Sequence, residues 1–517
     1  MHAQARTFTI DGLQVRAVGV EVDIRPGLPC FAIVGLAGAA VREARERVQA
    51  AILNSGLQFP SQRVTANLAP GDLPKSSPGL DLAIACAILA ASGQIDPPAL
   101  ASHALLGELA LGGRLRPCRG VLAIAQASRD AGLARIVLAP ESAAEACLVD
   151  GLAVAPASSL SAAVRILAGG VCEAVPPPLA MGASAGAEEL DLDEIRGQEH
   201  AVEALVLAAA GGHNALMSGP PGTGKTMLAQ RLPSILPPLS RSEAIEVTRI
   251  HSILGELPQA RLLSRRPFRS PHHSITVAGL LGGARSERVG EVVLAHRGVL
   301  FLDELSEFQR PTLEALRQPL EDGSVTIVRA SRRAVHPTRF MLLAATNPCS
   351  CGHAGDGEAC SCSKAELAKH RRKLSGPLLD RIDLLIDVRR ETRGFSERAA
   401  HTTSRQARER VLATREIQAR RMRGAPTLLN AEMPAAALRR YAAPDAAGER
   451  LLDDACLAGR LSGRGAHRVL RLARTIADLE GRPRIGAPHL AQALALRAGR
   501  PLHGETKRDL KPRRRRR

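Results

Sequence analysis

Apolar positions change their spacing along this chain, and the changes divide it. Across residues 1–170, short Val/Ile-rich runs at 7–10, 15–23, 135–138 and around Val154 predict strands, and Ala/Leu-rich stretches of helical period lie between them. Residues 40–55 predict a helix with acidic and basic residues interleaved on its wet face, and residues 81–90 a more buried one. A Pro/Gly/Ala/Ser-rich passage at 175–186 reads as a linker. After Asp191 the pattern changes: a strand ending at Leu216 and Met217 leads through a glycine-rich loop into a helix starting at 226–232. Beyond Glu391 the chain turns helical, strongly charged at 397–421 and with Leu/Ala faces at 446–457, 466–480 and 488–497. The prediction is a multidomain α/β chain: an α+β domain over 1–170, a linker over 171–190, an α/β core over 191–390, a helical lid over 391–500 and a basic tail over 501–517. No short-period repeat points to a solenoid.

Composition narrows the function classes. The 517 residues are 45% hydrophobic and 23% charged, a globular balance that excludes a disordered chain and a single small module. Aromatic residues are only 2%, with no Trp, one Tyr and eight Phe, which argues against base-stacking platforms for single strands. Lys and Arg total 69 against 51 Asp and Glu, and the formal charge of +18 points towards a polyanionic partner. Part of that excess sits in the tail, which reads as disordered and able to meet phosphates without specificity, or as a plain solubilising end. Ten Cys are too few for a disulfide scaffold, and no basic segment at the N-terminus leads into an apolar signal run, so a reducing cytoplasmic setting is expected. No apolar run approaches the roughly 18 residues of a membrane span.

The chemistry is concentrated after residue 191. Gly219, Pro220, Pro221, Gly222, Thr223, Gly224, Lys225 and Thr226 form a complete phosphate loop between an apolar strand and a helix. Gly222 and Gly224 let backbone amides converge on oxygens; Lys225 would reach the β and γ phosphates of ATP, and Thr226 would ligate magnesium. A second apolar strand ends in Asp303 and Glu304, placing one acid beside the magnesium and the other where it can polarise water. A third strand ends in Asn347, a neutral amide that would orient the same water or simply cap the strand. Together these elements favour hydrolysis over passive nucleotide storage.

Two further clusters stand out. Cys349, Cys351, Cys360 and Cys362 form two Cys-x-Cys pairs eight residues apart, a density suited to tetrahedral zinc in a structural role. Unligated or redox thiols and an iron–sulfur cluster are the alternatives, and His353 is a further candidate ligand. Residues 323–329 and 334–340 predict two strands joined around Ser331, with Arg329, Arg332 and Arg333 crowding the tip. Such arginines suit backbone phosphates without base recognition, or only a solvated face.

The stretches GLAGAAVREARERVQAAILNSG, NLAPGDLPKS, GHNALMSGPPGTGKT, RPFRSPHHSIT, GVLFLDEL, ATNPCSCG, LSGPLLDRIDL and ARTIADLEG resemble the magnesium-chelatase-like AAA+ ATPases, specifically the bacterial ComM/YifB family. The resemblance runs from Phe8 to about Arg497. It implies a homo-oligomeric, hexameric ring that hydrolyses ATP and moves along DNA, promoting branch migration of recombination intermediates during transformation, with recombination proteins as further partners. It implies that Asn347 is sensor 1, Arg381 a finger entering the neighbouring subunit's site, and Arg464, with Arg468 as rival, sensor 2 from the lid. It also marks the Arg329–Arg332–Arg333 tip as a pre-sensor-1 hairpin facing a pore, and residues 265–273 as an insertion approaching the channel. The N-terminal domain resembles the proteolytic domain of Lon around residues 74–79 and 107–112, but Gly79 stands where the nucleophilic Ser is expected and no activating Lys is found near Arg119 and Gly120. Ser76 and Ser77 are then loop residues and proteolysis is disfavoured. The rival readings are an ATPase that remodels a protein or assists metal insertion into a tetrapyrrole, and a nucleotide-gated DNA-binding scaffold.

Overall fold

The structure, a computed structural model, describes residues 1–36, 38–75, 78–175, 190–257, 260–283, 289–329, 332–354, 360–374, 378–389, 402–424, 429–459 and 461–498. Most of the linker read at 171–190, Ser76, Ser77 and the tail at 501–517 lie outside these residues. The chain forms two compact units, Met1–Ser184 with Ser240–Ser264, and Ala185–Leu239 with Arg265–Arg517.

In the first unit, the strands β1 (His2–Asp11), β2 (Gln14–Arg25), β3 (Cys30–Val34), β4 (Arg63–Ala69), β5 (His103–Leu105), β8 (Arg135–Leu138) and β9 (Ala153–Pro156) form one mixed sheet ordered β3-β4-β2-β1-β5-β8-β9. The short β6 (Glu108–Leu109) and β7 (Leu115–Arg116) pair beside it. Alternation dictates the faces: Val64, Ala66 and Leu68 of β4 are buried, while Arg63 is exposed and Thr65 and Asn67 are half-buried. Strand β1 starts five residues earlier than its β-branched run predicts, because Ala3 and Ala5 are small enough to continue the buried face.

Helix Asp81–Ala91 is buried along its whole length. Its one charge, Asp81, is paired with Arg47 at 2.7 Å and accepts the Leu109 N–H at 3.2 Å. Burial pushes this carboxyl upward, against the Arg47 guanidinium. Lys75 is also fully buried, its ammonium donating to the carbonyls of Leu68 at 2.7 Å, Gly35 at 3.1 Å and Pro70. The lysine next to Ser76 is thus taken up by backbone acceptors at the ends of β3 and β4.

Helix Arg241–Leu254 arises between elements of the second unit in sequence but belongs to the first unit. Ser240 and Glu243 form a capping box at its start. Ala244, Val247, Ile250 and Ile253, three residues apart, make one buried stripe. The Ser252 carbonyl accepts the Gly120 N–H at 3.0 Å, Arg249 donates to the Leu13 carbonyl at 3.0 Å, and the Ser252 hydroxyl meets Glu145. The boundary reading at 191–390 did not set this segment apart. Ile250→Ala is expected to cost about 2–4 kcal/mol, seen as a lower denaturant midpoint by circular dichroism; an unchanged midpoint would mean the stripe is not packed.

The second unit is built on β10 (Ala215–Ser218), β11 (Phe268–Arg269), β12 (Val299–Leu302), the hairpin β13 (Ser324–Arg329) and β14 (Arg332–Pro337), β15 (Met341–Thr346) and β16 (Leu384–Asp387). All but the hairpin form one parallel sheet ordered β11-β12-β15-β10-β16. Every residue of β10, β12 and β15 is buried, as expected of parallel strands covered on both faces. Ser218 pairs with Thr346 and Leu302 with Ala344, which brings the carboxyl ends of β10, β15 and β12 to one edge of the sheet. That edge is where ligands bind in open α/β sheets.

Helices Ser404–Arg421, Ala435–Tyr441, Ala446–Leu457, Gly463–Leu479 and Ala487–Ala498 follow, and Val411, Leu438, Val469, Leu472 and Leu490 share one apolar core with the sheet and with helix Glu199–Gly211. Thr403 caps the first of these, and residues 391–401 lie outside the described residues. Helix Gly463–Leu479 starts three residues before the predicted 466 because the Ser462 hydroxyl accepts the Gly465 N–H, and this puts Arg464 in its first turn. Among the described residues no helix is long and apolar enough to cross a membrane.

Candidate functional site

The loop from Gly219 to Gly224 leaves β10 and enters helix Lys225–Ile235. Gly222 and Gly224 hold left-handed φ values of 77° and 84°, and a Cβ on either would meet no protein atom within 4 Å. The demand for glycine there is conformational, and the amide face is left open for anion oxygens. Gly219 is different: a Cβ would stand 2.0 Å from the Val388 carbonyl oxygen, so only glycine lets the loop pass the end of β16. The Thr223 hydroxyl braces the loop through the Pro220 carbonyl at 2.9 Å.

Lys225 closes the loop on itself. Its ammonium donates to the carbonyls of Gly219 at 2.7 Å and Pro220 at 2.8 Å, and to Asn347 Oδ1 at 3.1 Å. Burial lowers its pKa, with Asp303 and Glu304 pulling the other way. Asn347 is held in turn by its backbone carbonyl, which lies 3.0 Å from His370 Nε2 on helix Lys364–Leu374.

Thr226 Oγ1 donates to Asp303 Oδ2 at 2.7 Å. A hydroxyl and a carboxylate oxygen converging at the phosphate-loop helix are the hard donors magnesium requires, so the residues fit that ion. The Glu304 N–H donates to Asp303 Oδ1 at 2.8 Å, which fixes the acid from its other side. Glu304 itself adopts φ 50°, ψ 49°, a left-handed backbone costing a residue with a Cβ of order 1 kcal/mol or more. The bend turns its side chain, 56% exposed, out of the strand direction. His273 Nδ1 lies 3.5 Å from its Oε2.

Direct hydrogen bonds thus join Lys225 to Asn347 and Thr226 to Asp303, with the Glu304 N–H bonded to Asp303. Arg381 is held by another partner: it is buried in the turn Leu379–Arg381, and its guanidinium pairs with Glu321 on helix Arg317–Asp322, just ahead of the β13–β14 hairpin. Of the two arginines on helix Gly463–Leu479, Arg464 is exposed, whereas Arg468 is paired at 2.7 Å with the buried Asp383. Burial alone would raise the Asp383 carboxyl, but His213 and Arg468 hold it below its ordinary value.

The four cysteines converge, their sulfurs lying within 4.8 Å of one another. Cys349 is 3.3 Å from Cys351 and 3.9 Å from Cys360, and Cys351 is 3.7 Å from Cys360. The Cys351 thiol is pulled down to about 5, first by the His353 backbone N–H and then by Cys349. A thiolate among three further sulfurs fits a soft or borderline cation. The same loop backs the phosphate loop, since a Cβ on Gly352 would stand 2.6 Å from Pro221 Cδ.

In the hairpin, Arg329 pairs with Arg332 and Val328 with Arg333, so β14 begins two residues earlier than expected. Arg333 is exposed; the side chains of Arg329 and Arg332 lie outside the described residues. His370 and Glu321 carry no sign of a role in the sequence, and His273, expected only as the end of the insertion at 265–273, lies beside Glu304; all three reach their partners only through the fold. The paired histidines after β11 were the one visible sign.

This geometry is that of a phosphate-loop ATPase, and comparison with known families agrees. A family model described as magnesium chelatase, subunit ChlI, matches residues 191–395; a model of subunit ChlI of Mg-chelatase matches 20–142, and one of the ChlI C-terminal part matches 401–497. The chain is 42% identical over 496 residues to an uncharacterized protein of Mycobacterium tuberculosis, covering 96% of this chain and 98% of the relative. It is 41% identical over 493 residues to competence protein ComM of Haemophilus influenzae, with 94% and 96% covered, and 41% over 489 residues to YifB of Salmonella typhimurium, with 94% and 95% covered. The class is an ATP-hydrolysing AAA+ ATPase related to magnesium chelatase. Within it, the chain belongs to the ComM/YifB family.

Proposed function

We propose that this ATPase is a ring-forming motor that drives DNA, with branched recombination intermediates as its substrate and the cytoplasm as its setting. The observation that carries the hydrolytic part is the convergence of Lys225, Thr226, Asp303, Glu304 and Asn347 at the ends of β10, β12 and β15. The loop amides and Lys225 bind the phosphates, and Glu304 takes the proton of the attacking water while Asn347 orients it. Thr226 and Asp303 would hold magnesium, which when bound draws charge from the phosphate oxygens. Arg381 would act on a neighbouring subunit's nucleotide, and Arg464 would close the site from a helical lid at 391–500. Delivery of a cation by a neighbour makes turnover depend on assembly, and a hexamer is the expected ring. Cys349, Cys351, Cys360 and Cys362 would hold a zinc ion that clips their loop.

DNA as substrate is supported by the +18 charge, by the arginine-bearing hairpin and by 41% identity to a competence protein across nearly its whole length. The pairing of Arg381 with Glu321, directly ahead of the hairpin, supports a link between the neighbour's nucleotide and the element that would grip the polymer. The N-terminal unit is read as a Lon-like but non-proteolytic domain, in keeping with Gly79 at the position of the nucleophile and with Lys75 buried against carbonyls.

A second reading, an ATPase that remodels a protein or assists metal chelation, draws on the three chelatase models, which together span most of the chain. Phosphate release measured with single-stranded, duplex, forked and four-way DNA, with ring state recorded in the same buffer, separates the two. Stimulation greatest on branched DNA supports the motor; indifference to every DNA supports the second reading. Replacing Arg329, Arg332 and Arg333 together by Ala is expected to weaken DNA binding at least about tenfold at moderate salt and to flatten its salt dependence. Unchanged affinity and slope in a fluorescence titration would remove the hairpin from the DNA path.

A further inference from the structure

We propose that His273 is the positioning residue of Glu304, its imidazole fixing where the carboxylate stands at the end of β12. This deepens the proposed hydrolysis and rests on Glu304 being the general base.

The carboxylate needs such support. Asp303 beside it is held twice, by the Thr226 hydroxyl and by the Glu304 N–H. The Glu304 side chain projects from a left-handed bend and is more than half exposed, and among the described residues its one ion-pair partner is His273. A longer, exposed carboxylate samples several rotamers, and a misplacement of about 1 Å at a reacting centre costs up to roughly 10²-fold in rate.

His273 is built to hold still. Its ring lies 4.1 Å from that of His272 between centroids and meets the Phe308 ring edge-on at 6.5 Å. His272 Nδ1 is 2.8 Å from the Ser274 hydroxyl. The segment is anchored upstream, where Arg269 of β11 forks onto Glu291 at 2.7 and 2.9 Å, and downstream, where Thr276 caps helix Val277–Leu281. Phe308 ends the turn Leu305–Glu307, which Glu304 itself opens, so one aromatic contact ties the imidazole to the backbone that carries the carboxylate. At 3.5 Å the pair is longer than a hydrogen bond, and catalytic contacts of this length commonly shorten in the substrate complex.

The test uses the full chain with saturating magnesium ATP and no DNA. His273→Phe keeps a ring for His272 and Phe308 but has no donor. His273→Asn loses the ring but keeps a donor nitrogen as many bonds from Cα as Nδ1. The expected result is that H273F lowers kcat at least about tenfold with KM changed less than about twofold, and that H273N restores kcat to within about threefold of wild type. An unchanged or raised kcat in H273F, a loss in KM instead of kcat, or no recovery in H273N overturns the proposal. Should H273F fail to fold by circular dichroism, H273A replaces it in the comparison with H273N. E304Q, run alongside, separates two failures: an inactive E304Q with a fully active H273F removes only the positioning role, whereas an active E304Q removes the general base and the positioning together.

Discussion

Glu304→Gln is expected to lower ATP turnover by roughly 10²–10⁴-fold while nucleotide binding stays close to wild type. The amide keeps the size and most hydrogen-bonding capacity of the carboxylate but cannot accept the proton of water. Lys225 keeps its bonds to the Gly219 and Pro220 carbonyls and Thr226 its bond to Asp303, none of which involves the Glu304 side chain. Loss should therefore fall on kcat, and affinity for a fluorescent ATP analogue should change little. Phosphate release and equilibrium binding on the same preparation check both halves. Equal turnover in E304Q and wild type would move the general base elsewhere.

The second large effect is expected at the cysteines. Changing Cys360 and Cys362 to Ser should abolish metal binding, lower the melting temperature by about 5–10 °C and reduce turnover by about tenfold or more. Structural thiolate sites contribute directly to folding stability. Here the loop they close is pressed against the phosphate loop at Gly352 and Pro221. Cys349 lies two residues after Asn347, and the helix beyond the cluster supplies His370 to the Asn347 carbonyl. Asn347 is therefore supported from both sides by structure that the cluster organises. Metal analysis by mass spectrometry, thermal melting and phosphate release are the readouts. A variant that keeps its metal, or that loses it with no change in melting or turnover, would count against this account.

How much of this could be read from the sequence depended on range. Strands β10, β12 and β15 were visible because they are buried on both faces and read as unbroken apolar runs. The residues after them were legible for the same reason: a polar group at the end of a buried parallel strand has one edge of the sheet to occupy. Strand β11, two residues long, leaves no periodicity to detect. Helix Arg241–Leu254 carried a capping box and an apolar stripe, but nothing local says which core that stripe enters. Pairings such as Arg381 with Glu321, 60 residues apart, are set by tertiary geometry alone. The burial of Arg381 and its partner within the chain are properties of the fold.

The excursion of Ser240–Ser264 bears on how this protein is made. A nascent chain leaves the ribosome amino end first, so the early unit emerges with one of its helices still unsynthesised. Until Ile253 arrives, the surface around Gly120 and Ile10 has no cover from that side chain. By then β10 and the nucleotide-binding loop have already been translated, so the earlier unit finishes folding only after the later one has begun to appear. A cut at the linker would release no self-sufficient half: the amino-terminal piece would lack its last helix, and the remainder would carry an oily strip with nowhere to go.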